Sequence, residues 1–247
     1  MRAQPGRELP AQPPTLMRVR EMGRIGYVDA WQAMREFTAR RGPDTADELW
    51  VLEHPPVYTL GLAGRREHLL DAGSIPVVAS DRGGQVSYHG PGQLIVYTLV
   101  DLRRAGFYVR ELVYRIEQGV IQTLEQLGVA ASRVSGAPGI YVAAPPAAID
   151  DARFADKAKI AALGIKVHRA CSYHGVALNV AMDLAPFSAI DPCGYRGLRT
   201  IDLATLGVSC PQGQVAGILV ERLCAHLQTA EPPPAASAPG AGRGPVP

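Results

Sequence analysis

A chain of 247 residues with 47% hydrophobic side chains carries enough apolar material for a large buried core, and its formal charge of +2 is near balance. Its basic residues come in pairs, Arg40-Arg41, Arg65-Arg66 and Arg103-Arg104, rather than in the dense stripe of a nucleic-acid surface, so no nucleic acid is expected as a partner. Most such pairs are solvated surface, and one or two would suit an acidic protein partner.

The four cysteines, Cys171, Cys193, Cys210 and Cys224, form no CxxC and have no histidine beside them at zinc-ligand spacing, which argues against a metal site. A disulfide framework is not expected in a chain with so large a core. Residues 1–14 lack the apolar run of a signal peptide, and no stretch approaches the length of a membrane span. The expected setting is a reducing cytoplasm with free thiols and no membrane.

In chain order, the proline-rich residues 1–16 read as a disordered extension. Residues 27–40 read as a helix with Tyr27, Trp31 and Met34 on one face, and 49–53 as a short strand stopped by Pro55-Pro56. An apolar run, Ile75-Pro76-Val77-Val78-Ala79, leads into Arg82-Gly83-Gly84-Gln85-Val86-Ser87-Tyr88-His89-Gly90-Pro91-Gly92-Gln93, which is followed by a buried strand at 94–100. Glycines let backbone N–H groups approach a ligand without Cβ interference, and a plain hairpin has no need of a cation, an imidazole and a phenol together. The segment therefore reads as a ligand-cradling loop held between two buried strands.

The clearest helix is 109–127, where Leu112, Val113, Ile116, Val120, Ile121, Leu124 and Leu127 follow the i, i+3, i+4 rule and Gly128 supplies a stop. A strand at 139–142 comes next, then a surface insertion at 143–156, then two strands at 159–167 and 172–182 joined by a turn. An amphipathic helix at 212–228 places Val215, Ile218, Leu219, Leu223 and Leu227 inside, and 231–247 is a disordered tail of Pro, Ala and Gly. There is no internal repeat and no linker. The fold class is α/β (α+β), a single domain over 17–230 with one mixed central sheet flanked by helices.

Cys193 is the candidate nucleophile, because Pro192 and Gly194 force a sharp turn that presents the thiol. Free cysteines are more often small buried hydrophobes, and that reading is kept for Cys171 and Cys224, while Cys210 has no assigned role. A thiol needs a nearby cation or base to ionise at neutral pH. Lys159 opens the nearly apolar Ile160-Ala161-Ala162-Leu163-Gly164-Ile165, where partial desolvation would lower its pKa. Lys157 would share its strand face, and His89 or His174 would offer a Cys–His pair instead. Arg82 either fixes a polar end of the substrate or pairs with a carboxylate such as Asp81.

Four blocks in order carry a resemblance: Arg82 to Gln93; His54-Pro55-Pro56-Val57-Tyr58-Thr59-Leu60-Gly61; Lys159-Ile160-Ala161-Ala162-Leu163-Gly164; and His174-Gly175-Val176-Ala177-Leu178-Asn179-Val180 running on to Asp191-Pro192-Cys193-Gly194-Tyr195. Over roughly residues 17–230 the chain resembles the octanoyltransferases of lipoate synthesis. The resemblance implies the fold of biotin and lipoate protein ligases, Cys193 as nucleophile and Lys159 as its acid/base partner. It implies an acyl pocket built from Arg82, Gly83, Gly84, Gln85, Val86, Ser87, Tyr88 and His89, from Ala162, Leu163 and Gly164, and from Gly175, Val176 and Ala177. Small residues at several of these positions leave room for an extended alkyl chain.

The implied reaction moves an octanoyl or lipoyl group from acyl carrier protein, through a cysteine thioester, to a lysine of a lipoyl domain. Acceptors would be the lipoyl domains of 2-oxoacid dehydrogenase complexes and the glycine cleavage H protein. A thioester donor is already activated, so no cofactor is expected, and the chain has no G-x-x-x-x-G-K-[ST] loop. The alternative is an ATP-dependent lipoate or biotin protein ligase, which needs no cysteine nucleophile. A non-catalytic carrier-binding protein would need neither Cys193 nor Lys159. Two departures from the pattern are Ala170, where a glycine is common, and a longer insertion before Lys159.

Overall fold

The computed structural model describes residues 17–147 and 149–228, so the extensions expected at 1–16 and 231–247 lie outside the described residues. In chain order the elements are β1 (Arg18–Arg24), α1 (Tyr27–Arg40), β2 (Glu48–Glu53), β3 (Val57–Leu60), β4 (Val77–Ala79), β5 (Val86–His89), β6 (Gln93–Leu99), α2 (Leu102–Ala105), α3 (Val109–Gln126), β7 (Ala131–Val134), β8 (Ala137–Ala143), β9 (Lys157–His168), β10 (Cys171–Asn179) and α4 (Gln212–Leu227). Helix α1 buries Tyr27, Ala30, Met34 and Thr38, one residue per turn on a single face. In α3 the buried Leu112, Ile116, Val120 and Leu124 repeat the same spacing, and Gly128 takes the left-handed conformation just past its end.

A seven-stranded sheet runs in the order β1-β2-β6-β10-β9-β8-β7, antiparallel except for the β1–β2 pair. This is the expected mixed central sheet with helices on its faces. Side chains alternate across it, so β6 sends Leu94 and Val96 into the large core with α3 and α4. From the same strand Ile95, Tyr97 and Leu99 meet Ala30 and Met34 of α1 on the other face. Among the described residues no helix is long and apolar enough to cross a membrane.

A second, three-stranded sheet of order β4-β3-β5 was not expected. Residues 82–93 are therefore not one loop. Val86 and Tyr88 alternate inward on β5, which pairs antiparallel with β3, while the glycines only flank it. The preceding run is also not a buried strand: only Val77–Ala79 pairs, at a sheet edge, and Val77 is exposed. Among the bonds that tie the small sheet and its loop to the rest of the fold, Tyr27 Oη lies 2.6 Å from Ser80 Oγ, and Gly83 N donates to Ile165 O at 3.1 Å.

The insertion at 143–156 is more than surface. It ends in a 3₁₀ turn, Ala152–Phe154, whose Phe154 is 1% exposed and packs 5.3 Å from Tyr141 and 4.7 Å from Tyr195, ring centre to ring centre. An aromatic side chain at the end of a polar segment finds a core that only the folded chain supplies.

The β9–β10 hairpin pairs His168 with Cys171, leaving Arg169 and Ala170 as a two-residue turn with φ of 50° and 63°. Both signs are those of a type I′ turn, which prefers glycine or asparagine. A Cβ in this region costs roughly 1–2 kcal/mol. Ala170→Gly is therefore expected to stabilise the fold by about 1 kcal/mol. A urea titration should show a higher midpoint at unchanged slope, and an unaltered or lower midpoint would contradict this.

Candidate active site

Pro192-Cys193-Gly194 forms a single tight turn in which Cys193 itself is left-handed, φ 58° and ψ 17°. For a residue with a Cβ this is strained by about 1–3 kcal/mol, so the surroundings must hold it. They do so through the segment around His68. Asp191 N donates to His68 O at 2.8 Å, and the Asp191 carboxylate lies 3.3 Å from His68 Nδ1. Gly194 N closes the turn on Asp191 O at 2.9 Å.

Lys159 reaches this turn from β9. Its Nζ lies 2.7 Å from Cys193 Sγ and 3.0 Å from Pro138 O, with the Tyr141 ring 5.2 Å away. The side chain is only 3% exposed. Lys157 takes the neighbouring carboxylate of Asp156 at 2.8 Å instead, so Lys159 is the lysine that meets the sulfur. Space for its stem is made by Gly139, at φ 134°, where a Cβ would come within 2.3 Å of Lys159 Cε.

The charge state of Lys159 departs from the sequence expectation. Burial does push the ammonium down, but the neighbouring Cys193 and Tyr141 favour the cation by more, so its pKa is raised rather than lowered. A thiolate and an ammonium at contact distance stabilise one another, and a low-dielectric setting strengthens the attraction.

Beside Cys193 a cleft opens between the two sheets. Of the residues expected around it, Arg82, Gly84, Gln85, Val86, Ser87, His89, Ala162, Leu163, Gly164, Gly175, Val176 and Ala177 line it together with Cys193. Two expected residues do not. Tyr88 points away from the face of its strand neighbours Ser87 and His89 and, in one cluster with Val86, packs with Tyr58 and Phe187. Gly83 lies against the β9 backbone, where a Cβ would stand 3.1 Å from Ile165 O.

Arg82 does not pair with Asp81. Its buried guanidinium donates to Thr59 O and Thr59 Oγ1, to Gln85 O and to Gly83 O, which sets the shape of the loop into β5. Asp81 instead accepts from Trp31 Nε1 at 2.7 Å, Tyr173 Oη at 2.5 Å and His174 Nε2 at 2.9 Å. Burial alone would raise the Asp81 pKa, but the bonds from His174, Tyr173 and Trp31 hold it at about 2.

The histidines sit in the cleft wall as neutral, hydrogen-bonded groups, and neither has a hydrogen bond to Cys193. His89 Nδ1 donates to Gln93 Oε1 at 2.7 Å, and burial lowers its pKa to about 3. His174, also lowered by burial, is held by Asp81 and has φ 61°. Behind them His54 Nδ1 donates to Ile25 O and Nε2 accepts from Tyr97 Oη, each at 2.7 Å. Among the described residues no group of three or more histidine, cysteine or acidic side chains has the arrangement of a metal site.

Three lining residues escaped the sequence reading: Tyr27, Ile95 and Tyr97. Tyr27 looks like an ordinary core position of α1. Tyr97 carried a usable signal, a hydroxyl in the middle of an otherwise apolar buried strand, which requires a partner. Of the other cysteines, Cys171 is buried on β10, and Cys210 and Cys224 are half-buried; all are free thiols.

Comparison with known proteins gives the family and the fold. The family described as lipoyl protein ligase A/B catalytic domain matches residues 26–210. A curated relative named octanoyltransferase, from Albidiferax ferrireducens, is 54% identical over 219 residues, covering 83% of this chain and 95% of the relative. Among solved structures, a bi-partite lipoate protein ligase from Thermoplasma acidophilum, studied with its E2 lipoyl domain, superposes with a TM-score of 0.65 at 15% identity. It covers 85% of this chain and 83% of that one. A biotin protein ligase from Aquifex aeolicus gives a TM-score of 0.53 at 11% identity, covering 85% and 70%.

Proposed function

This chain belongs to the lipoyl protein ligase A/B catalytic family and, within it, to the octanoyltransferases, and from that premise we propose that Cys193 carries the octanoyl group as a thioester between two protein partners. The enzyme is an acyltransferase of protein lipoylation. The observation that carries the covalent reading is the 2.7 Å approach of Lys159 Nζ to the sulfur of Cys193, which lines the cleft.

In the first half-reaction the Cys193 thiolate attacks the carbonyl of an octanoyl thioester on acyl carrier protein. The tetrahedral adduct collapses, the carrier C–S bond breaks, and the departing thiolate takes a proton from Lys159. Octanoyl-Cys193 and a neutral Lys159 remain. In the second, the amine of a lipoyl-domain lysine attacks the new thioester and Lys159 accepts the proton lost from that nitrogen. Cys193 leaves as thiolate, an amide is formed, and the ion pair is restored. No ATP is consumed.

Partner choice follows from the surroundings of the turn. Arg66, two residues before His68, and Arg196, three after Cys193, are exposed and form no ion pair among the described residues. Two unpartnered cations near the reactive sulfur suit an acidic carrier domain. As acceptors we propose the lipoyl domains of 2-oxoacid dehydrogenase complexes and the glycine cleavage H protein, with the reaction in the cytoplasm.

Incubation with octanoyl-carrier protein in nucleotide-free buffer is the test. Intact mass spectrometry should show one octanoyl adduct, removed by hydroxylamine, mapped to Cys193 and not accumulating as a thioester in Cys193→Ser. An adduct on Cys171, Cys210 or Cys224 would overturn the assignment. A strict need for ATP and free octanoate would favour the ligase chemistry instead.

A further inference from the structure

The cleft is lined by residues of β9 and β10 together with Cys193, whose sulfur meets Lys159 Nζ at 2.7 Å. From Lys159 to Gly164, which pairs with Gly175, is roughly 16 Å along the strand. Beside Gly175 stands His174, and across it His89. Tyr27 packs on both imidazoles, nearly parallel to each: its ring centre is 5.9 Å from His89 at 9° and 6.4 Å from His174 at 15°.

Tyr27 is the first residue of α1 and only 4% exposed. Its hydroxyl is fixed to Ser80 Oγ at 2.6 Å, and Trp31 stands behind it, ring centres 6.4 Å apart. We propose that Tyr27 is the end wall of the cleft and the residue that sets the length of acyl chain the enzyme accepts. This inference rests on the acyl-transfer reading and adds the specificity element to it.

The wall is stiff for a physical reason. His89 is bound to Gln93, His174 to Asp81 and His54 to Tyr97, so none of the polar groups around Tyr27 can swing aside without leaving a buried partner unsatisfied. A chain that is too long meets these rings and has no flexible neighbour to displace. A chain that is too short leaves apolar surface unfilled and loses about fourfold in binding per missing methylene. The two effects together define a preferred length. Cutting back the tyrosine would extend the cleft toward Trp31 and admit further carbons.

The experiment compares kcat/KM for C6, C8, C10 and C12 acyl-carrier thioesters in the wild type, Tyr27→Phe, Tyr27→Leu and Tyr27→Ala. Tyr27→Phe keeps the ring and should keep the length optimum even if its rate falls. Tyr27→Ala should move the optimum to longer chains, with the C12-to-C8 ratio rising by about tenfold or more, consistent with roughly two carbons' worth of new apolar contact. Tyr27→Leu serves if the alanine variant does not fold. A uniform fall at all four lengths in a variant that still melts cooperatively would overturn the proposal. Calorimetric binding of the free C8 and C12 fatty acids reads the same ratio without catalysis. If the wild type transfers no acyl group from any carrier, the function reading fails on its own, and the binding ratio still decides the role of Tyr27.

Discussion

Replacing Lys159 by alanine is expected to slow octanoyl transfer by about 10²–10⁴-fold, the usual range for losing a positioned acid/base group. Two effects contribute. In the proposed mechanism the ammonium at 2.7 Å from Cys193 Sγ is the counter-charge to the attacking thiolate and also the proton store for both half-reactions. Among the described residues no second cation is in hydrogen-bond contact with this sulfur. Alkylation of Cys193 by iodoacetamide at neutral pH should slow in the same variant. Lys157→Ala, which removes only a pair with Asp156, should leave both rates near normal. His89→Ala and His174→Ala should act through substrate binding and stability. Normal turnover and normal alkylation in a folded Lys159→Ala protein would remove the lysine from the mechanism and return the histidines to it.

Acid is expected to destabilise the fold while most carboxylates are still ionised. His54 and His89 titrate near 6.5 in an unfolded chain, but burial lowers them to about 4 and about 3 in the fold. Above pH 6.5 both states are deprotonated and stability is level. Below it the unfolded chain takes up protons that the folded chain refuses, so stability drops as pH falls toward those two values. Two protons give a slope approaching about 2.7 kcal/mol per pH unit. Urea midpoints taken between pH 7 and pH 5 should fall steadily and reversibly below about 6.5. A flat profile over that interval would show that the two imidazoles are not held neutral.

The elements legible in sequence were those whose pattern is local. Helices α3 and α4 declare themselves by a repeated apolar face, and β6 by a nearly continuous apolar run that becomes buried on both sides. Strand β1 has no buried face to reveal it. Strands β3 and β5 are four residues each, and only their pairing makes them strands. The same division holds in the site. Cys193 stands out because a proline and a glycine bracket it, whereas Tyr27 reaches His174 across 147 positions of sequence and looks locally like core. The net charge preference of Lys159 was misread because desolvation is visible in an apolar segment and the opposing sulfur, supplied by a distant turn, is not.

Gly139 imposes an order on how such a reactive pair can be acquired. A lysine placed at position 159 opposite any residue with a Cβ cannot lay its stem toward the sulfur, because that carbon would occupy the space of Cε. The vacancy has to exist before the amine can use it. A lineage, or a protein engineer, moving this chemistry onto a related scaffold by installing the cysteine and the lysine alone would transplant the atoms and lose their meeting point. The meeting of Lys159 with Cys193 thus depends on three residues on three separate segments, one of which contributes only the absence of a side chain.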